Sequence, residues 1–149
     1  MILGVGIDMV KIEKMQKAIE KHGQSFLDRV FDKEELVNIA QGKMYYQRLA
    51  ARFAAKEAVI KAVSKKYPLD LTDILILNRA NGAPYVKFKK RVNADIFLSI
   101  THIEDYAAAT AVAQKKNNKI DEDASDIRAY HARKSEPSVP FKKIQRLNP

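Results

Sequence analysis

From Arg48 to Val63 the chain reads Arg-Leu-Ala-Ala-Arg-Phe-Ala-Ala-Lys-Glu-Ala-Val-Ile-Lys-Ala-Val, with neither glycine nor proline, and this stretch limits the fold more than any other. Alanine has the highest helix propensity and recurs throughout, so the segment is helical before any tertiary contact is considered. Leu49, Phe53, Ile60 and Val63 fall at helical spacings and make a buried stripe. Arg48, Arg52 and Lys56 repeat at i, i+4 on another face, and Glu57 stands one turn before Lys61. On periodicity alone these charges describe a solvated salt-bridge face of little energetic consequence. The many methyl-sized side chains let another backbone approach closely, so a tightly packed central helix is expected.

A chain of 149 residues holds one compact domain and little more. Its 46% hydrophobic and 30% charged residues fit a soluble globular protein, and no apolar run is long enough to cross a bilayer. The start, Met1-Ile2-Leu3-Gly4, lacks the basic opening of a secretory leader and soon reaches Asp8 and Lys11, so a cytoplasmic location is expected. Without cysteine there is no disulfide framework, thiolate metal site or thiol nucleophile. A net charge of +9 calls for an acidic partner, a description that nucleic acid, anionic lipid and acidic protein all meet.

Residues 2–8 read as a short strand in which Gly4 and Gly6 mark a close backbone approach and which ends in Asp8. By itself Asp8 reads as the cap of the following helix, where Ile12, Met15 and Ile19 form the apolar face and Lys14, Lys17 and Lys21 a basic stripe, up to a stop near Gly23. Phe26, Leu27, Val30 and Phe31 form another helical cluster. Asp32 and Glu35 have capping-box spacing and open a helix that turns Leu36, Ile39 and Ala40 inward, before a break at Gln41-Gly42-Lys43. After the central helix, Lys65 to Asp70 is a loop, because Pro68 disfavours helical geometry at Tyr67. Residues 74–77 form a strand, Asn81-Gly82-Ala83-Pro84 a turn, and residues 85–89 a half-buried strand. Residues 96–113 read as two strands joined around Ile103 to Asp105, with Ser99, Thr101 and His102 clustered at the end of the first. A lone histidine there reads as a hydrogen-bonded structural residue. Beyond Gln114 the composition changes. That tail holds nine of the 27 Lys and Arg and three of the five prolines. It divides the chain into a domain of residues 1–113 and a basic extension, 114–149, in which Ile120, Ile127 and Tyr130 line a short helix and the stretch with Pro137 and Pro140 is extended. The extension is expected to dock on its own domain or a neighbouring subunit.

Three stretches form an ordered set: Gly4-Val5-Gly6-Ile7-Asp8 leading into Lys14, Arg52-Phe53-Ala54-Ala55-Lys56-Glu57 with Lys61, and Leu98-Ser99-Ile100-Thr101-His102 followed by Tyr106. Together they resemble the 4'-phosphopantetheinyl transferases, specifically the short holo-(acyl-carrier-protein) synthase type, over residues 1 to about 113. The resemblance implies an α+β fold in which a small antiparallel sheet packs with a long central helix and shorter helices, and a homotrimer with sites between subunits. It implies transfer of 4'-phosphopantetheine from coenzyme A to a serine of apo acyl carrier protein, with release of adenosine 3',5'-bisphosphate. Asp8 and Glu57 would hold Mg2+, whose hard character suits carboxylate oxygen, and Lys61 would face the same phosphates. Either Glu57 or a metal-bound water would take the serine proton. By the same resemblance Arg52, Lys61, Asn81, Gly82, Pro84, Ser99, Thr101 and His102 would line the coenzyme A site. Lys14, Lys17, Lys21 and Arg29 would receive the acidic carrier protein, and neither a membrane nor a nucleic acid is a partner.

The sequence departs from the family where a glycine-containing turn usually follows the helix. Here Val63-Ser64-Lys65-Lys66-Tyr67-Pro68 stands instead, and the charges of Lys65 and Lys66 are expected to replace the amides of that turn. The segment between Phe88 and Phe97 is short, and the extension has no counterpart in the short members. The competing reading is a small basic RNA-binding module. It needs exposed aromatics interleaved with basic residues on a sheet, of which Tyr85, Phe88 and Lys89 supply a fragment. A catalytically inactive homologue is a third reading, against which stand Asp8, Glu57 and Lys61.

Overall fold

The computed structural model describes residues 1–37, 39, 42 and 44–116. The expectations for Ala40, for the break at Gln41 and Lys43, and for the extension from residue 117 onward, including Ile120, Ile127, Tyr130, Pro137 and Pro140, lie outside the described residues. Residues Met1–Lys116 form one compact unit, in the order β1 (Ile2–Lys11), α1 (Ile12–Val30), α2 (Lys33–Val37), α3 (Tyr45–Val63), a 3-10 turn (Leu71–Asp73), β2 (Ile74–Asn78), β3 (Pro84–Phe88), β4 (Ala94–His102) and β5 (Tyr106–Lys115). The expected α+β class, with a small antiparallel sheet on a long central helix, is the fold observed.

Two antiparallel sheets make up the β portion: a three-stranded one in the order β1-β5-β4 and a separate β2-β3 hairpin. Along β5, Ala107, Ala109, Ala111 and Ala113 alternate into the interior, where the last three meet Ala54, Ala55, Ala58 and Ala62 of α3 and Ala107 joins the cluster of Ala50 and Ala51. Small side chains on both surfaces bring the helix down onto the strands. β1 comes closer still: a Cβ built on Gly6 would lie 1.9 Å from the Ala58 carbonyl oxygen, and one on Gly4 2.2 Å from that of Ala62. The close approach expected at these glycines is therefore backbone lying directly on helix. A second cluster, with Met15, Leu27, Val30, Phe31 and Leu49 at its centre, packs α1 against the first half of α3.

Four local expectations change. Asp8 is not a helix cap, because β1 continues past it to Lys11 and pairs with β5 throughout, Asp8 opposite Ala109 and Lys11 opposite Tyr106; Lys11 occupies the N-cap position. α1 does not stop at Gly23. A positive φ of 54° at Gly23 interrupts it, and helix resumes to Val30, carrying the Phe26 and Leu27 cluster. Lys56 is not solvated but fully buried against Glu35. Finally β5 runs to Lys115, a little past the boundary placed at residue 113, since its last residues still pair with Ile2 of β1 and with Ala94 and Asp95 of β4. Lys65 and Lys66 lie exposed after α3, with the Lys66 ammonium 5.9 Å from the Tyr67 ring centre. No helix among the described residues is long and apolar enough to cross a membrane.

Candidate active site

Because Gly4 and Gly6 seat β1 on α3, the next inward position of the strand, Asp8, meets the last turns of the helix. Lys61 Nζ donates to Asp8 Oδ1 at 2.8 Å and to the Ile7 carbonyl at 3.0 Å. That bond raises the Lys61 ammonium above its ordinary value, so it is charged at neutral pH, with the more distant Glu57 carboxylate acting in the same direction. The helix spacing suggested a Glu57–Lys61 pair; the lysine instead reaches across to the strand. Glu57 is half-buried and makes no side-chain hydrogen bond among the described residues. Two carboxylates from remote parts of the chain thus flank one ammonium.

Beside Asp8 opens an apolar groove of about 480 Å³ between β1, α1 and α3, lined by Met15, Ala18, Phe26, Phe53 and Tyr106, with Lys11 and Lys14 at its rim. Its apolar lining escaped the sequence reading. Phe53 lies one turn before Glu57, and that offset was its signal, but periodicity assigned Phe53 to the core stripe. Lys11 and Lys17 both bind Glu13, which lowers the Glu13 carboxyl to about 2. Lys14 and Lys21 have no ion-pair partner among the described residues, while Arg29 Nε caps the Ser25 carbonyl at 3.1 Å. The basic stripe is therefore open at Lys14 and Lys21 and engaged at Lys17.

A second cavity, of about 400 Å³, lies between the β2-β3 hairpin and β4. Arg52, Gly82, Pro84, Ser99 and His102 border it, joined by Ile76, Asn78, Leu98 and Ile100. Arg52 is fixed there by Nε to the Ile76 carbonyl, 3.3 Å, and Nη2 to Asn78 Oδ1, 3.2 Å, and its burial lowers the guanidinium from its usual value without discharging it. Asn78 had no signal in the sequence. Three residues expected with this group stand apart from it: Lys61, which is held at Asp8, and two others. Thr101 alternates away from His102 along β4 and is exposed, and Asn81 folds the turn by accepting the Ala83 N–H at 3.1 Å, beside Gly82 with φ 84°. A third cavity, about 590 Å³, lies farther along the same hairpin with Arg79, Lys90, Arg91, Asp95 and Lys116 around it; neither Asp8 nor Glu57 lines it.

Arg52 and Lys61 are nine residues apart on α3. Nine residues make about two and a half helical turns, so the two side chains leave opposite faces. The cavity holding Arg52 and the carboxylates at Asp8 and Glu57 are therefore separated within the chain by the helix itself.

A sequence model of the 4'-phosphopantetheinyl transferase superfamily matches residues 4–111 of the chain, a span that takes in Asp8, the whole of α3 and His102. The chain belongs to that superfamily. Among curated superfamily members, holo-(acyl-carrier-protein) synthase of Protochlamydia amoebophila is 43% identical over 119 residues, covering 75% of this chain and 98% of the relative. That of Thermodesulfovibrio yellowstonii is 44% identical over 112 residues, with the same coverage. Among solved superfamily structures, the synthase of Neisseria meningitidis superposes with a TM-score of 0.70 at 32% identity, covering 77% of this chain and 100% of the other. The Bacillus anthracis synthase, solved in complex with CoA (3',5'-ADP), gives 0.69 at 29% identity, covering 78% and 99%.

Proposed function

We propose that this chain transfers the 4'-phosphopantetheine group of coenzyme A to a serine of apo acyl carrier protein, releasing adenosine 3',5'-bisphosphate. The observation that carries the reading is the Asp8–Lys61 contact beside Glu57, within a superfamily whose curated relatives are named holo-(acyl-carrier-protein) synthases. The serine Oγ forms a bond to the pantetheine-bearing phosphorus as the pyrophosphate bridge breaks. Glu57, free of hydrogen bonds among the described residues, accepts the serine proton. Lys61 places a positive charge beside the departing phosphate.

Mg2+ fits the donor set. Asp8 and Glu57 would be its protein ligands, with water and phosphate oxygens completing the shell. That all-oxygen set suits magnesium better than zinc. When bound, the ion supplies positive charge that stabilises the phosphoryl oxygens as charge develops on them. Lys14, at the rim of the apolar groove, meets the acidic carrier, with Lys21 and, more weakly, Lys17 and Arg29 extending the basic face; the groove takes apolar side chains around the acceptor serine.

The assembly is a homotrimer that completes each site across an interface. Val5, Ile7, Met9 and Phe97 are 60–66% exposed and lie on the outward face of the three-stranded sheet, where Val5 and Phe97 both stand opposite Val112. A contiguous apolar sheet face of this kind is covered by a second copy. The opposite orientation of Arg52 and Lys61 then finds its use. The nucleotide occupies the Arg52 cavity of one subunit, and the pyrophosphate reaches Asp8, Glu57 and Lys61 of the next.

Purified protein incubated with coenzyme A, Mg2+ and apo carrier protein should raise the carrier's mass by one phosphopantetheine group. Asp8→Asn should stop transfer with the fold intact. A fully active Asp8→Asn protein removes the assignment.

A further inference from the structure

β2 is an edge strand. Among the described residues its one partner strand is β3, so the backbone groups on its other side need acceptors and donors from outside the hairpin. At Ile76, 1% exposed, both groups are satisfied by side chains: the N–H donates to Glu35 Oε1 at 2.9 Å, and the carbonyl accepts from Arg52 Nε at 3.3 Å. Glu35 is itself fully buried. Its Oε2 accepts from the Asp32 N–H at 2.8 Å and from Lys56 Nζ at 2.6 Å, and Lys56 spends its other two protons on the carbonyls of Val30 and Leu71. A chain of hydrogen bonds thus runs Lys56, Glu35, Ile76, Arg52, Asn78 and on to the Gly82 carbonyl, which Asn78 Nδ2 reaches at 2.8 Å. Its near end is dry and its far end borders the cavity read above as the nucleotide site.

We infer that Glu35 is a positioning residue for coenzyme A, setting the place of Arg52 and of the hairpin wall through the peptide groups of Ile76. The inference rests on the proposed reading of that cavity. Two features argue for positioning over plain stability. A buried ion pair is a poor way to gain stability, since an apolar pair of similar volume often does as well. And the hairpin shares no ladder with the main sheet, so Glu35, supported at the surface by the Lys87–Glu34 and Lys89–Asp32 pairs, fixes its register relative to α3.

The test uses full-length protein carrying Lys56→Met with either Glu35→Gln or Glu35→Leu. Both doubles remove the buried charges, but the glutamine keeps an acceptor for the Ile76 N–H. For Glu35→Leu the KM for coenzyme A and the Kd for adenosine 3',5'-bisphosphate should each rise at least about tenfold, with the KM for carrier within about twofold; the Glu35→Gln double should stay within about twofold of wild type in all three. If the two doubles bind alike, or if their affinities follow Tm rather than the acceptor at position 35, the inference is overturned. Exposed Asn78, where folding is not at risk, gives a second arm: Asn78→Ala should raise the bisphosphate Kd several-fold, and an unchanged value overturns the relay even if neither double folds. Arg52→Ala separates the two levels. Without effect on the bisphosphate Kd, it overturns the cavity reading and the relay together; with a large effect but indistinguishable doubles, the relay alone falls.

Discussion

Replacing Gly6 by alanine adds one methyl group at the closest contact between β1 and α3. The new Cβ would stand 1.9 Å from the Ala58 carbonyl oxygen and 2.8 Å from the Ala62 nitrogen, both backbone atoms of a helix that cannot yield. To reach the 3.4 Å at which ordinary contact begins, β1 must retreat by about 1.5 Å. Overpacking of this kind costs about 1–3 kcal/mol, while the stiffer unfolded chain returns less than about 1 kcal/mol. A net loss near 2 kcal/mol lowers Tm by roughly 6–8 °C in a chain of this length. The larger effect falls on chemistry: Asp8 follows two residues later on the same strand, and a displacement of about 1 Å between reacting groups can cost about 100-fold in rate. Thermal unfolding and a carrier-mass assay of kcat check both. Gly23→Ala is the control, since φ 54° with ψ −136° strains any L side chain yet nothing lies within 4 Å of its Cβ; it should lose stability and keep kcat. A Gly6→Ala protein with Tm within about 2 °C and kcat within about threefold of wild type would refute the backbone-on-helix argument.

Lys56→Met alone strands the buried Glu35 carboxylate without its cation and should cost about 3–5 kcal/mol in denaturant unfolding, a loss that adding Glu35→Gln largely reverses. Lys14→Glu should raise the KM for carrier protein far more than that for coenzyme A; equal effects count against the docking surface. Ile7→Glu, on the outward sheet face, should reduce the proposed trimer to monomers, read by light scattering, and abolish transfer, whereas an unchanged assembly mass would place the interface elsewhere. Glu13, lowered to about 2 by Lys11 and Lys17, contributes stability to α1 that is present above about pH 4.5 and lost as pH falls through about 2. A carboxyl NMR titration of Glu13 with a midpoint above 4 would contradict this.

Some of these features are legible in the amino-acid order because they depend on local geometry. The alanine-rich run from Arg48 is helical by propensity, Gly4 and Gly6 announce a close approach, and Asn81-Gly82 makes its turn with φ 84°. The capping box at Asp32 is half legible. Its spacing located a helix start, and Glu35 does bond the Asp32 N–H. Nothing local, however, reveals that the same carboxylate is also sealed under β2 and Lys56. Lys56 shows why. Helical periodicity gives the direction in which a side chain leaves the axis but not what covers it, so a lysine in line with Arg48 and Arg52 looked solvated. Asp8 fails as a cap for a related reason: cap preference is a local term worth about 1 kcal/mol, and continued pairing of β1 with β5 as far as Lys11 outweighs it.

The order of residues by itself determined the helix, the chemical types available to it and, through three short motifs, the superfamily. Tertiary structure decided which partner each charge received: Lys61 went to Asp8, Lys56 to Glu35 and Arg52 to Ile76 and Asn78. Those choices depend on distances between segments remote in the chain, set by two glycines and a face of alanines, and no local preference encodes such distances.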